Sequence, residues 1–274
     1  MINKIIAISI NAGKKIMEIY ESADFGVEMK ADNSPLTLAD KASHEVIVEE
    51  LKKEFPKIPI LSEEGRDIPF EERKNWKKFW LVDPLDGTKE FIKKNGEFTV
   101  NIALIENNKP VIGVIYAPAY DDRTKNTKLR TENQEQSYNH PIIQSTIHTE
   151  FPGTLYYGEI SKGAYKQYAN QEPDKIHTIK KDKNLTAVKS RSHSSEDEQK
   201  ILDELGVTNS ISVGSSLKFC MVAEGKAQVY YRHGPTNEWD VGAGHAIAEA
   251  AGATIEGLQY NKEIILNGSF FIRI

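Results

Sequence analysis

The run Phe79-Trp80-Leu81-Val82 closes on Asp83, and Pro84, Leu85, Asp86, Gly87 and Thr88 follow directly. Consecutive apolar residues without alternation predict a strand covered on both faces. Its end is therefore a fixed point, and two carboxylates stand where it stops. Pro84 cannot serve a ladder as a donor and Gly87 permits a tight turn, so the backbone bends sharply there. The bend lets both aspartates and an intervening carbonyl face one point.

Two other places repeat the feature. Ile60-Leu61-Ser62 runs into Glu63 and Glu64, and the helix-like stretch 236–253 carries Glu238 and Asp240 at its start. Acids gathered in one pocket repel one another unless a hard cation neutralises them, and Mg²⁺ prefers oxygen ligands. Gly87 and Thr88 then offer backbone N–H groups, and Thr88 a hydroxyl, suited to a phosphate oxygen. Taken singly, each feature has a plainer role. Glu63-Glu64 reads as a solvated turn, Asp240 as a first-turn acid favoured by the helix dipole, and the segment 83–88 as a tight turn. A haloacid-dehalogenase nucleophile motif requires Asp-x-Asp, whereas the spacing here is Asp-x-x-Asp.

The chain has 274 residues, enough for a large core and two subdomains. Its net charge of −5 argues against a nucleic-acid polymer as partner. A small anionic substrate stays open, because local cations or a bound metal reverse the sign of a pocket. The single cysteine, Cys220, excludes an internal disulfide and fits a reducing, cytoplasmic setting. It lies in an apolar helical run and is expected in the core. No segment has the ~18 apolar residues of a spanning helix.

Helical periodicity is expected over 2–21 and 37–55, strands over 58–65 and 79–83, and a hairpin over 98–118. Residues 120–150 are polar and read as a long surface excursion. A second unit is expected from about 186, with a capped helix over 194–206, a Gly-Ser turn, helix and strand over 212–232, and terminal strands. The expected division is 1–185, with an atypical insertion at about 120–151, and 186–274; the resemblance set out next implies an α+β, metal-binding first part and an α/β, substrate-binding second.

The strings ADNSPLTLAD (31–40), ILSEEG (60–65), WLVDPLDGTKEFI (80–92), KSRSH (189–193) and the long run 213–253 span most of the chain. Together they resemble the lithium-sensitive, Mg²⁺-dependent phosphomonoesterases of the inositol monophosphatase superfamily, and within it the 3′(2′),5′-bisphosphate nucleotidases of the CysQ type. The resemblance implies a five-layered αβαβα sandwich of the inositol monophosphatase and fructose-1,6-bisphosphatase type. It implies two Mg²⁺ ions, with a third in some members. Glu63, Asp83 and the Leu85 carbonyl would hold the first; Asp83, Asp86 and Asp240 the second. Thr88 and Asp40 match the pair that orients the attacking water, and Glu64 a supporting acid.

For substrate, the resemblance points to adenosine 3′,5′-bisphosphate, with an inositol or sugar monophosphate as the alternative. Ser190 to His193 and Gly214 to Lys218 bring hydroxyls, cations and backbone N–H groups, and Arg232 follows. Each alone could be a surface cation or an N-cap serine. By the match, His193, Ser216, Lys218 and Arg232 grip the non-reacting phosphate, with Arg191 in a lesser role, while Gly87, Thr88 and Asp240 meet the reacting one. Gly214 and Glu238 are candidates for adenine contact. The expected partner is a small nucleotide only, with no transmembrane segment and a monomer or homodimer as the assembly. Loose association with a membrane surface is implied by the resemblance alone.

Overall fold

The structure, a computed structural model, describes residues 1–22, 25–30, 35–65, 67–121, 151–169, 171–191 and 195–274. Residues 122–150 of the polar excursion, and His193, lie outside the described residues.

Helix α1 (Ile2–Tyr20) buries Ile5, Ile8, Ala12 and Ile16, one stripe of an amphipathic helix. A short ribbon, β1 (Glu28–Met29) and β2 (Pro35–Leu36), leads to α2 (Leu38–Glu54) and then β3 (Ile60–Ser62), α3 (Phe70–Arg73), β4 (Lys78–Asp86) and α4 (Thr88–Ile92). A meander follows: β5 (Thr99–Glu106), β6 (Lys109–Ala117), β7 (Thr154–Glu159), β8 (Gly163–Tyr168) and β9 (Asp174–Ile176). The chain continues through β10 (Leu185–Ser190), α5 (Glu196–Glu204), β11 (Val207–Val213), α6 (Leu217–Ala223) and β12 (Val229–Arg232). It ends with β13 (Thr236–Asn237), α7 (Glu238–Ala250), β14 (Thr254–Glu256), β15 (Leu266–Asn267) and β16 (Phe270–Arg273).

Strands β3 to β9 form one sheet in sequence order, and the other large sheet runs β11-β10-β12-β16-β14. Helices α1 and α2 cover one face of the first sheet; α6 and α7 lie between the two sheets, and α5 packs against β11 and β12. This is the five-layered αβαβα arrangement. β4 shows why its sequence does not alternate. Trp80 and Val82 join the core beneath α1 and α2, while Phe79 and Leu81 join the core around α6 and α7. Both faces are dry, so both need apolar side chains. Helix α7 sits close on the sheet because a Cβ at Gly113 of β6 would stand 2.2 Å from the Ala243 carbonyl oxygen.

Most expected elements are present at nearly the expected bounds. Strand β11 is the main omission. It is an edge strand whose residues are mostly exposed, so no buried face imposes a hydrophobic period on it. Cys220 is fully buried in the core, as expected. Among the described residues, no helix is long and apolar enough to cross a membrane.

Candidate active site

The end of β4 explains how two aspartates three positions apart serve one site. In a regular strand they would point to opposite faces. Here Asp83 pairs with Asn101 and Asp86 with Thr99, so one strand advances three residues where its neighbour advances two. The irregularity absorbs the extra residue and brings both carboxylates to one cavity. The Leu85 N–H donates to Asp83 Oδ1 at 3.0 Å, closing a local turn, and Ser43 Oγ–H donates to the Pro84 carbonyl at 2.7 Å, fixing that turn to α2. Gly87 completes the bend with φ +89°, a conformation that disfavours a side chain; a Cβ there would also stand 3.1 Å from the Glu97 carbonyl oxygen.

Two further acids arrive on helix starts. Asp40 and Asp240 are each the third residue of a capping box, closed by Thr37 in α2 and Asn237 in α7. Oδ2 of Asp40 accepts from the Thr37 N–H at 2.8 Å and hydroxyl at 2.6 Å. Its Oδ1 is left to meet Thr88 Oγ1 at 3.3 Å. Oδ2 of Asp240 accepts from the Asn237 N–H at 2.8 Å. Each acid therefore satisfies a helix terminus with one oxygen and offers the other to the site. The two helices lie on opposite faces of the sheet, and both begin at the end of β4.

Glu63, Asp83 and Asp240 each bring a carboxylate oxygen into a group lying within 4.8 Å of one another. Asp83 is held well above the usual carboxylate range by burial, then by the charges of Glu63, Asp86 and Asp240. Asp240 is raised in the same way by burial, Asp86 and Glu63. Burial pushes Asp86 up to about 6, against the opposing pull of Lys218 and of the Ser216 N–H. Glu63 is raised by burial and by Glu64, with Lys30 working against both. Lys30 donates to Glu63 Oε1 at 2.7 Å and to Glu64. Its ammonium thus offers positive charge to carboxylates that would otherwise repel. A buried, all-oxygen set of this kind fits a hard divalent cation. Lys30 itself escaped the sequence reasoning, because a lysine in a polar stretch carries no pattern.

The cavity holding these groups has a volume of about 300 Å³. Leu85, Gly87 and Thr88 line it beside the acids, and Ser190, Ser215, Ser216, Lys218, Tyr230 and Arg232 complete the lining, with Lys218 next to Asp86. Lys218 is buried there. Burial and the nearby Arg232 guanidinium lower its pKa, and Asp86 opposes them. Its ammonium donates to the Ser215 carbonyl. Ser215 has φ +47°, and among the described residues its hydroxyl is buried without a hydrogen-bond partner, as is that of Thr236 in the same cavity lining. A buried hydroxyl without a partner in a polar cavity is one that a ligand can satisfy.

Several expected residues are engaged elsewhere. Ser216 Oγ–H donates to Asn101 Oδ1 at 2.7 Å and accepts from Thr99 at 2.8 Å; it makes no side-chain cap. Arg191 grips Glu97 with both arms, at 2.6 and 2.8 Å, and donates to the Ser212 carbonyl. The Gly214 N–H also goes to Glu97. Glu238 accepts the N–H groups of Asn261 and Lys262, at 2.6 and 3.0 Å, and is absent from the cavity wall. Ser215 is the residue that reasoning from sequence passed over: a serine in a Gly-Ser-Ser turn does not reveal which hydroxyl has a partner.

The model of the inositol monophosphatase family matches residues 1–272. The 3′(2′),5′-bisphosphate nucleotidase CysQ of Escherichia coli O157:H7 is 42% identical, with 100% of each chain covered. That of Haemophilus influenzae is 35% identical over 98% of this chain and 91% of its own. The crystal structure of CysQ from Bacteroides thetaiotaomicron, 39% identical, superposes with a TM-score of 0.77 over 98% of this chain and 94% of its own. The suhB protein of Bartonella henselae shares the fold at 20% identity, with a TM-score of 0.71 over 99% and 92%. A family match over nearly the whole length, joined to a carboxylate-lined cavity at the end of the bulged strand, places the chain in the inositol monophosphatase family.

Proposed function

We propose that this protein is a phosphoric monoester hydrolase acting as a 3′(2′),5′-bisphosphate nucleotidase, releasing the 3′-phosphate of adenosine 3′,5′-bisphosphate to leave AMP. The observation that carries the reading is one cavity lined both by carboxylates at the close of β4 and by buried Lys218 with Arg232 next to them. A single-phosphate substrate needs the first group only. A bisphosphate needs both. The family is metal-dependent, with Mg²⁺ its usual ion. The full-length relatives named above are bisphosphate nucleotidases.

Glu63, Asp83, Asp86 and Asp240 with the Leu85 carbonyl would hold two Mg²⁺ ions, and a third would be weaker. Bound Mg²⁺ supplies an acidified water and neutralises charge on the phosphoryl group and leaving oxygen. The chain's own residues do the positioning. Asp40 is locked by two donors from Thr37 and accepts the Thr88 proton, which leaves the Thr88 oxygen lone pairs for a water's hydrogen. Glu64, whose charge reaches Asp40, supports that pair. Gly87 and Thr88 would orient the reacting phosphate, and Lys218, Arg232 and the Ser215 hydroxyl the other one. His193 would join them. We place the enzyme in the cytoplasm, clearing a by-product of sulfate assimilation, with lithium as an inhibitor that competes at the carboxylates.

The test is phosphate release with Mg²⁺ from adenosine 3′,5′-bisphosphate and from inositol 1-phosphate, each with and without Li⁺. Preference for the nucleotide, abolished by lithium, supports the reading. Preference for the inositol ester overturns the assignment of the cationic group.

A further inference from the structure

The polar contacts around Ser216 form a closed ring. The Ser216 backbone N–H lies toward Asp86 and favours its charged form. Its hydroxyl donates to Asn101 Oδ1 at 2.7 Å, and Asn101 Nδ2–H donates to Asp86 Oδ2 at 3.5 Å. Because the Ser216 proton is committed to Asn101, Thr99 must be the donor in the 2.8 Å contact between the Thr99 and Ser216 hydroxyls. Thr99, Asn101 and Ser216 are all buried. The ring joins three elements: the end of β4, its neighbour β5, and the residue that opens α6.

This geometry has two consequences. The Ser216 hydroxyl is already satisfied on both its donor and acceptor sides, so it is poorly suited to bind a phosphate. The Asp86 carboxylate, in turn, accepts from Asn101 and has the Ser216 N–H turned toward it, which orients its remaining lone pairs. We propose that Asn101 and Ser216 are positioning residues that aim Asp86 at the cation, and that the ring couples the cationic wall of the cavity to the carboxylate centre. Ser215 and Lys218 flank Ser216, so an anion bound by them bears on the same segment that holds Asp86. Linkage then requires the coupling to run both ways: an anion at that wall tightens the cation, and the cation tightens the anion. The inference rests on the reading of Asp86 as a cation ligand.

The experiment measures Mg²⁺ binding by calorimetry, without substrate, for the native protein, Ser216→Ala, Asn101→Ala and the double variant. Ser216→Ala keeps the backbone N–H and deletes only the hydroxyl; a melting curve for each variant verifies folding. Each single variant is expected to weaken the cation by about 3- to 10-fold, the worth of one buried hydrogen bond, and the double variant by little more than either alone. Adding AMP is expected to tighten Mg²⁺ on the native protein and to do so less on the variants. Native-like Mg²⁺ affinity in Ser216→Ala, with a raised KM for the nucleotide, would overturn the proposal and make Ser216 a direct substrate contact. Fully additive losses in the double variant would break the ring into independent contacts. Failure of the native protein to bind Mg²⁺ would instead remove the cation reading itself, an outcome separable from failure of the ring.

Discussion

The two groups that line the cavity are built by different means. The carboxylate group takes its side chains from the close of β4, the end of its neighbour β3 and two helix starts, and Asp83, Asp40 and Asp240 each have a second task as turn or cap. The cationic group is a Gly-Ser-Ser turn entering α6 and the last residue of β12, with hydroxyls of similar chemistry in near-identical sequence positions. In the first group, backbone architecture decides where an oxygen points. In the second, the hydrogen-bond partner of each hydroxyl decides, and those partners lie more than a hundred residues away.

The largest expected effect breaks the carboxylate group. Asp83→Asn keeps the shape and removes one charge from a repelling group. Turnover should fall at least about 100-fold, since charge stabilisation of this kind is commonly worth that much. The metal-free protein should melt higher than the native one, because the carboxylate it loses is held unfavourably. Steady-state assay and a melting curve in chelator check both; a variant that lost stability along with activity would contradict the account.

Lys218→Ala breaks the other group. Loss of a charge-assisted contact predicts a KM for adenosine 3′,5′-bisphosphate raised about 10- to 100-fold. Mg²⁺-dependent hydrolysis of a small monophosphate should change far less. Equal losses on both substrates would mean that the two groups are not separable.

The pH dependence sharpens the contrast. Asp86 is raised from 3.8 to about 6, so the folded, metal-free protein holds a proton that the unfolded chain has released between those values. Stability in chelator should therefore fall as pH rises from about 4 to about 6, and Mg²⁺ should reverse the fall. Mg²⁺ affinity should weaken as pH drops through about 6, because a protonated carboxyl does not ligate. Melting curves with chelator and with Mg²⁺ across this range test both signs.

Arg191→Ala is the smallest effect. Its guanidinium is spent on Glu97 and the Ser212 carbonyl, so KM should move less than about threefold while the melting temperature falls by a few degrees. A large change in KM would return Arg191 to the cavity.

These differences also explain what the sequence makes legible. The unbroken Phe79–Val82 run identifies a strand buried on both faces, and acids at the ends of such elements must converge or be paid for in repulsion. That logic reaches Glu63, Glu64, Asp83, Asp86, Glu238 and Asp240 without ranking them, and the family resemblance selects Glu63, Asp83, Asp86 and Asp240 among them. Asp40 is named by the family resemblance alone, and its contact with Thr88 follows only once α2 lies beside the β4 turn. The cationic group resists the same treatment. Ser215 and Ser216 are adjacent, yet one hydroxyl is unpartnered and the other is held by β5. Arg191 looks like a phosphate ligand until Glu97 is placed against it. Edge strand β11 was hidden because exposure on its faces removes the periodic signal.

The most direct measurement is anomalous diffraction from crystals grown with Mn²⁺ and AMP. The account predicts Mn²⁺ between Glu63, Asp83, Asp86 and Asp240, and the AMP phosphate against Lys218 and Arg232. Mn²⁺ elsewhere, or an AMP phosphate lying on the carboxylate-bound cation with Lys218 uncontacted, would contradict it.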